Sequence, residues 1–180
     1  MKKILVSDIF GTTKSLKEMA SYYTGDVEIV SPYQDTCMDF ANEAEAYDYF
    51  ITNVGLEEYA EQLRKCILST TDEVQLVGFS IGASAIWFLS DHLDMKNVIQ
   101  ARCFYGSQIR HYKHIQPIFP IELIFPKYEK HFSVSELASD LSNLNSVKIT
   151  HTDYRHGFMN PCAKHYDQDA WEHFREQLFQ

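Results

Sequence analysis

Six short apolar runs punctuate the chain, at 3–7, 27–31, 74–79, 100–105, 121–125 and 146–151. Most are continuous rather than alternating, the pattern of strands covered on both faces. Between them apolar residues recur at helical spacing, which predicts helices over 13–23, 57–70, 82–92, 134–144 and 163–179. Around 57–70, Leu56, Tyr59, Leu63, Cys66 and Ile67 share one stripe. Ser133-Val134-Ser135-Glu136 reads as a capping box, with Leu137, Leu141 and Leu144 facing inward behind it. The last helix turns Tyr166, Ala170, Phe174 and Leu178 to one side. The long connection between the second and third strands predicts a further helix near 43–53, closed by Gly55. Its aromatics, Tyr33, Phe40, Tyr47, Tyr49 and Phe50, fit two readings: walls of a pocket, or packing at the sheet edge. Such alternation specifies an α/β fold, a parallel sheet wound with right-handed crossovers. Its simplest strand order is 2-1-3-4-5-6.

Composition narrows this only a little. The chain has 180 residues, with no repeat, low-complexity tract or linker, so a single domain over 1–180 is expected. The net charge of −9 argues against nucleic acid and anionic membrane partners. No apolar run reaches the roughly 18 residues of a membrane span. The N-terminal run breaks at Asp8, too early for a signal peptide. Cys37, Cys66, Cys103 and Cys162 form no C-x-x-C pair, which fits reduced thiols in a cytoplasm. His111 and His114 have a spacing seen in metal ligands, but no carboxylate or cysteine cluster joins them, so neither a metal nor another cofactor is expected.

Candidate chemistry begins at Gly78-Phe79-Ser80-Ile81-Gly82, straight after the strand pattern Val74-Gln75-Leu76-Val77 and straight before a helical one. A sharp strand-to-helix turn can hold a serine strained, with its hydroxyl thrust above the sheet. Glycines two residues either side leave room for that turn. The helix N-terminus behind it offers free N–H groups where an oxyanion would form. The plainer reading of Ser80 is a helix N-cap.

A serine nucleophile needs a base. Among eight histidines, His156 follows the last strand, and loops after parallel strands open on one edge. The order Ser, acid, His is that of α/β-hydrolases. The acid should follow the fifth strand, where the run 126–132 holds one carboxylate, Glu129; Asp153 is its rival. Its task is to accept the second ring N–H of His156 and fix the tautomer. Asp8-Ile9-Phe10-Gly11 follows the first strand, at the crevice where the strand order reverses. The Ile9 N–H can therefore join the Ile81 N–H as an oxyanion hole.

Asp8-Ile9-Phe10-Gly11, Gly78-Phe79-Ser80-Ile81-Gly82, Phe104-Tyr105-Gly106 and His156-Gly157-Phe158 together resemble the dienelactone hydrolase family of α/β-hydrolases. The resemblance spans nearly the whole chain in order. It implies a minimal six-stranded α/β-hydrolase sheet with helices on both faces, nucleophile Ser80, base His156, acid Glu129, and Ile9 and Ile81 at the oxyanion hole. It also implies an acidic Asp8 near the resting nucleophile, with Phe10 and Tyr105 beside the site. The departures are specific. The name-giving enzymes carry cysteine at the Ser80 position and aspartate at the Glu129 position. The family's first two strands have no counterpart here. Asn160 and Pro161 stand where an arginine would hold a substrate carboxylate.

The expected activity is a serine hydrolase acting on a small ester, thioester or lactone through an acyl-enzyme. The short link 106–120 leaves no room for a large lid. The expected partner is a small acyl substrate, and assembly into a homo-oligomer is compatible with the sequence. Two alternatives differ in class. One is a non-catalytic binding protein on the same fold. The other is a flavodoxin-like cofactor binder using residues 7–13 as a phosphate loop, which leaves Ser80 and His156 idle.

Overall fold

The structure, a computed structural model, describes residues 1–34 and 36–178. Six strands, β1 (Lys2–Val6), β2 (Asp26–Val30), β3 (Val74–Phe79), β4 (Val98–Phe104), β5 (Ile121–Phe125) and β6 (Val147–His151), form one sheet in the order 2-1-3-4-5-6. All neighbouring pairs are parallel. The helices are α1 (Lys14–Ser21), α2 (Glu43–Asn53), α3 (Gly55–Leu68), α4 (Ile81–Leu89), α5 (Val134–Leu141) and α6 (Gln168–Leu178). A 3₁₀ turn, Ser107–His111, lies in the link after β4.

The strands read as unbroken apolar runs because they feed two cores at once. Ile4, Val6, Leu76, Ala101, Cys103, Leu123 and Phe125 pack toward α3, α4 and α5. The alternate residues Leu5, Val77, Phe79, Phe104 and Ile124 pack toward α1 and α6. Two period-2 sets interleave into one continuous stretch. The edge strands β2 and β6 are only partly covered.

Differences from the sequence expectation have local causes. The last helix begins at Gln168 rather than 163, because the Asp167 carboxylate caps the Ala170 N–H at 2.9 Å. Residue 179 of the expected helix lies outside the described residues. The helix expected to reach 92 stops at Leu89, where the Ser90 hydroxyl turns back to the Trp87 carbonyl. Gly55 does end α2, with φ +77°, but α3 starts on it without a connecting loop. Ser133 caps α5 through the Glu136 N–H. Among the described residues no helix is long and apolar enough to cross a membrane.

Gly82 holds α4 against β1. A Cβ there would collide with the carbonyl oxygens of Val6 and Ser7, rigid groups that cannot swing aside. Gly82→Ala should therefore lower stability by about 1–3 kcal/mol or more, read as a lower urea midpoint. An unchanged midpoint would mean that α4 can lift off β1 freely.

Candidate active site

Ser80 occupies the β3–α4 turn with φ 52° and ψ −110°, a region that non-glycine residues seldom adopt. The surroundings enforce it. Its N–H donates to the Phe104 carbonyl at 2.9 Å, and its carbonyl accepts from the Ser84 N–H and hydroxyl, each at 3.1 Å. Gly78 permits the turn, since a Cβ would stand 2.8 Å from the Ala83 nitrogen. Gly82 serves contact with β1 rather than the turn itself, a correction to the reading of both glycines as turn residues. The Ser80 side chain makes no capping bond to α4. Its hydroxyl instead lies 2.9 Å from His156 Nε2.

His156 sits in the loop after β6, and its Nδ1 lies 2.6 Å from Glu129 Oε1 in the loop after β5. Glu129 is 11% exposed, whereas the Asp153 side chain is 93% exposed and pairs with Lys127 at 3.2 Å. Tyr105 leaves β4 with φ 42°, fully buried, and its ring lies against His156 at 4.9 Å between centroids. Residues from four loops thus meet at one edge of the sheet.

The first loop completes the edge. Asp8 is buried, and its Oδ1 accepts the Phe10 N–H at 2.9 Å across Ile9. Burial pushes the Asp8 carboxyl up; hydrogen bonds from Asn160 and the Phe10 N–H, and the nearby His156, oppose that rise. Burial also pushes the Tyr105 phenol up, with Asp8 adding to it. Among the described residues nothing takes up the N–H of Ile9 or of Ile81. A cavity of about 20 Å³ is lined by Asp8, Ile9, Phe10, Ser80, Tyr105 and His156, together with Glu43 of α2.

The raised Asp8 group has a stability consequence. Its native carboxyl holds a proton to higher pH than the unfolded one, so its contribution favours the folded state at acid pH. That contribution is lost as pH rises through the native value. Glu28 and Glu122, both lowered, run the other way, gaining stability above the unfolded range and losing it on acidification. The Asp8 part is isolated by comparison. Asp8→Asn should gain on wild type as pH rises above the ordinary carboxylate value of about 4, whatever constant offset the altered hydrogen bonds add. A gap in urea midpoints that does not change with pH would contradict it.

The sequence reading missed Glu43, and named Tyr33 only as a pocket-wall or packing aromatic and Asn160 only as the residue standing in an arginine's place. Glu43 comes from the long connection, where nothing local signals it. Tyr33 donates to the Ile9 carbonyl at 2.7 Å, and its ring packs edge-on against Phe40 and Tyr49. Phe50 is in the core, Tyr47 and Tyr49 are exposed, and none of the five aromatics lines the Ser80 cavity. Asn160 donates to Asp8 Oδ2 at 2.6 Å. His111 and His114 are exposed, away from Ser80, and no cluster of three metal-ligating side chains exists among the described residues.

Solved structures share this architecture at low identity. The dienelactone hydrolase-like promiscuous phosphotriesterase P91 from metagenomic libraries superposes with a TM-score of 0.65 at 12% identity, covering 98% of this chain and 84% of its own. A lipase-esterase related protein from Clostridium acetobutylicum ATCC 824 gives 0.66 at 10% identity, covering 99% and 94%. The chain has the α/β-hydrolase fold. No family model matches the sequence. An uncharacterized protein of Bacillus subtilis (strain 168), YczH, is 28% identical over 172 residues, 92% of this chain and 84% of its own length. Within this fold, Ser80 stands at the sharp turn between β3 and α4.

Proposed function

We propose that the protein is a serine hydrolase that cleaves small esters, thioesters or lactones through an acyl-enzyme on Ser80. One observation carries the reading: Glu129, His156 and Ser80 form a hydrogen-bonded chain, at 2.6 and 2.9 Å, ending on a strained serine. Glu129 accepts the Nδ1–H of His156, which leaves Nε2 free to accept the Ser80 proton. Ser80 Oγ then attacks the acyl carbon, and the carbonyl oxygen becomes an oxyanion facing the Ile9 and Ile81 N–H groups. Each such donor is worth roughly 10²–10³ in rate. His156 returns the proton to the leaving group, and water repeats the sequence to free the acid.

The small cavity and the short 105–120 link favour compact or exposed acyl groups. The likeness to a dienelactone hydrolase-like structure supports the family resemblance, in a serine variant with glutamate as the acid. Asn160 stands where the family's arginine would hold a substrate carboxylate, so the likeness does not carry the dienelactone substrate over to this chain. The four free cysteines fit a cytoplasmic setting.

A fluorophosphonate probe tests the assignment. It should label the wild-type protein on the peptide containing Ser80 and leave Ser80→Ala unlabelled. No label on folded wild type, or equal labelling of Ser80→Ala, would favour a non-catalytic binding protein or a different nucleophile.

A further inference from the structure

Asp8 and Asn160 lie 152 positions apart in sequence, yet their side chains meet at 2.6 Å and both are 7% exposed. The amide's orientation is fixed by its other end. Cys162 N–H can only donate, and it donates to Asn160 Oδ1 at 2.9 Å, so Nδ2 faces Asp8. Asn160 is anchored in the His156 loop: its N–H donates to the Gly157 carbonyl at 2.9 Å, and its carbonyl accepts from Ala163 at 2.9 Å. Asp8 organises the opposite loop. Its Oδ1 accepts from Phe10 and its carbonyl accepts from Gly11 at 3.1 Å, so the turn closes around Ile9.

We propose that Asn160 is a positioning residue that clamps the turn at 8–11, and with it the Ile9 N–H, to the loop carrying His156. Two catalytic parts come from opposite ends of the chain. The oxyanion donor follows β1, and the base follows β6. An oxyanion donor acts only if it lies within hydrogen-bond reach of where the charge develops. The bond between Asp8 and Asn160 joins the two loops directly, and both partners are buried, so water does not compete for either of them. Tyr33 braces the Ile9 carbonyl from the β2 side, so Asn160 supplies the restraint on the His156 side. The kinetic part of this inference rests on the hydrolase reading; the structural part does not.

A reciprocal swap tests it. Asn160→Asp sets two buried carboxylates against each other. Asp8→Asn combined with Asn160→Asp rebuilds every bond with the two groups exchanged. The amide oxygen now at position 8 accepts from Phe10, and its nitrogen donates across to the carboxylate now at position 160. That carboxylate still accepts from Cys162. Two readouts apply, hydrogen exchange of the Ile9 and Phe10 amides and steady-state hydrolysis of a nitrophenyl ester. Asn160→Asp should speed exchange at residues 8–11 and lower kcat about 10²-fold with little change in KM. The swap should restore both. If Asn160→Asp fails to fold, Asn160→Ala, which deletes the amide without adding charge, carries the same measurements. Unchanged exchange at 8–11 would overturn the clamp. So would a swap that restores exchange but not kcat, since the Asp8 charge and not its position would then matter. A wild type that hydrolyses no ester, with exchange that still responds to the swap, would sink the hydrolase reading and leave the clamp standing.

Discussion

Replacing Ser80 by glycine should abolish ester turnover and yet leave the protein more stable than alanine at the same position does. The loss follows from the role: removing a serine nucleophile from an intact triad costs roughly 10⁶ in kcat. The gain follows from the backbone. Ser80 is held at φ 52° and ψ −110° by a bond to the Phe104 carbonyl and bonds from Ser84, a conformation that costs of order 1–3 kcal/mol for a residue with a Cβ. Glycine adopts it without that cost and forfeits only about 0.4–1 kcal/mol through its freer unfolded chain. Ser80→Gly should therefore be about 1 kcal/mol more stable than Ser80→Ala, both having lost the same hydroxyl. Urea midpoints of the two variants check it. A glycine variant no more stable than the alanine one would remove strain from the account of this turn.

Glu129→Gln should cost roughly 10⁴ in kcat, while Asp153→Asn should leave it within about twofold. The glutamine amide can present its N–H to Nδ1, which would then carry no proton. Nε2 would be protonated instead and could no longer accept from Ser80. Glu129 Oε1 lies 2.6 Å from Nδ1, and the side chain is 11% exposed, so water does little to screen that pairing. Asp153 is three residues from His156 in sequence but points into solvent and meets Lys127. Exposed pairs of this kind contribute about 0–1 kcal/mol. A nitrophenyl ester assay on both variants decides between them, and the reverse order of effects would transfer the acid's role to Asp153.

The site was legible to the degree that topology fixes it. A parallel sheet sends every strand's C-terminal loop to one edge, so Ser80 after β3, Glu129 after β5 and His156 after β6 could be brought together from strand order alone. The extra methylene of Glu129 did not obscure it, because the reading asked only for a carboxylate after the fifth strand, and Glu129 is the one that run holds. Strand boundaries were clear where turns flank them, as at Val74–Phe79 and Ile121–Phe125. Helix ends blurred where side chains decide. Asp167 starts α6 and Ser90 ends α4 through single hydrogen bonds that apolar periodicity does not encode. The pairing of Asp8 with Asn160 was invisible for a different reason. Its partners lie at opposite ends of the chain, and nothing about a lone asparagine in a loop says which buried carboxylate it will meet. Glu43 was lost in the same way, carried to the Ser80 cavity by a connection whose local pattern reports only a helix.

The central claim is that Ser80 carries the acyl group. Mixing the protein with a nitrophenyl ester, quenching in acid within the first turnover and weighing the digested peptides tests it directly. The account predicts a mass increase equal to one acyl group on the peptide containing Ser80, accompanied by a burst of one nitrophenol per chain. Steady nitrophenol release with no acylated peptide, surviving in Ser80→Ala, would contradict it.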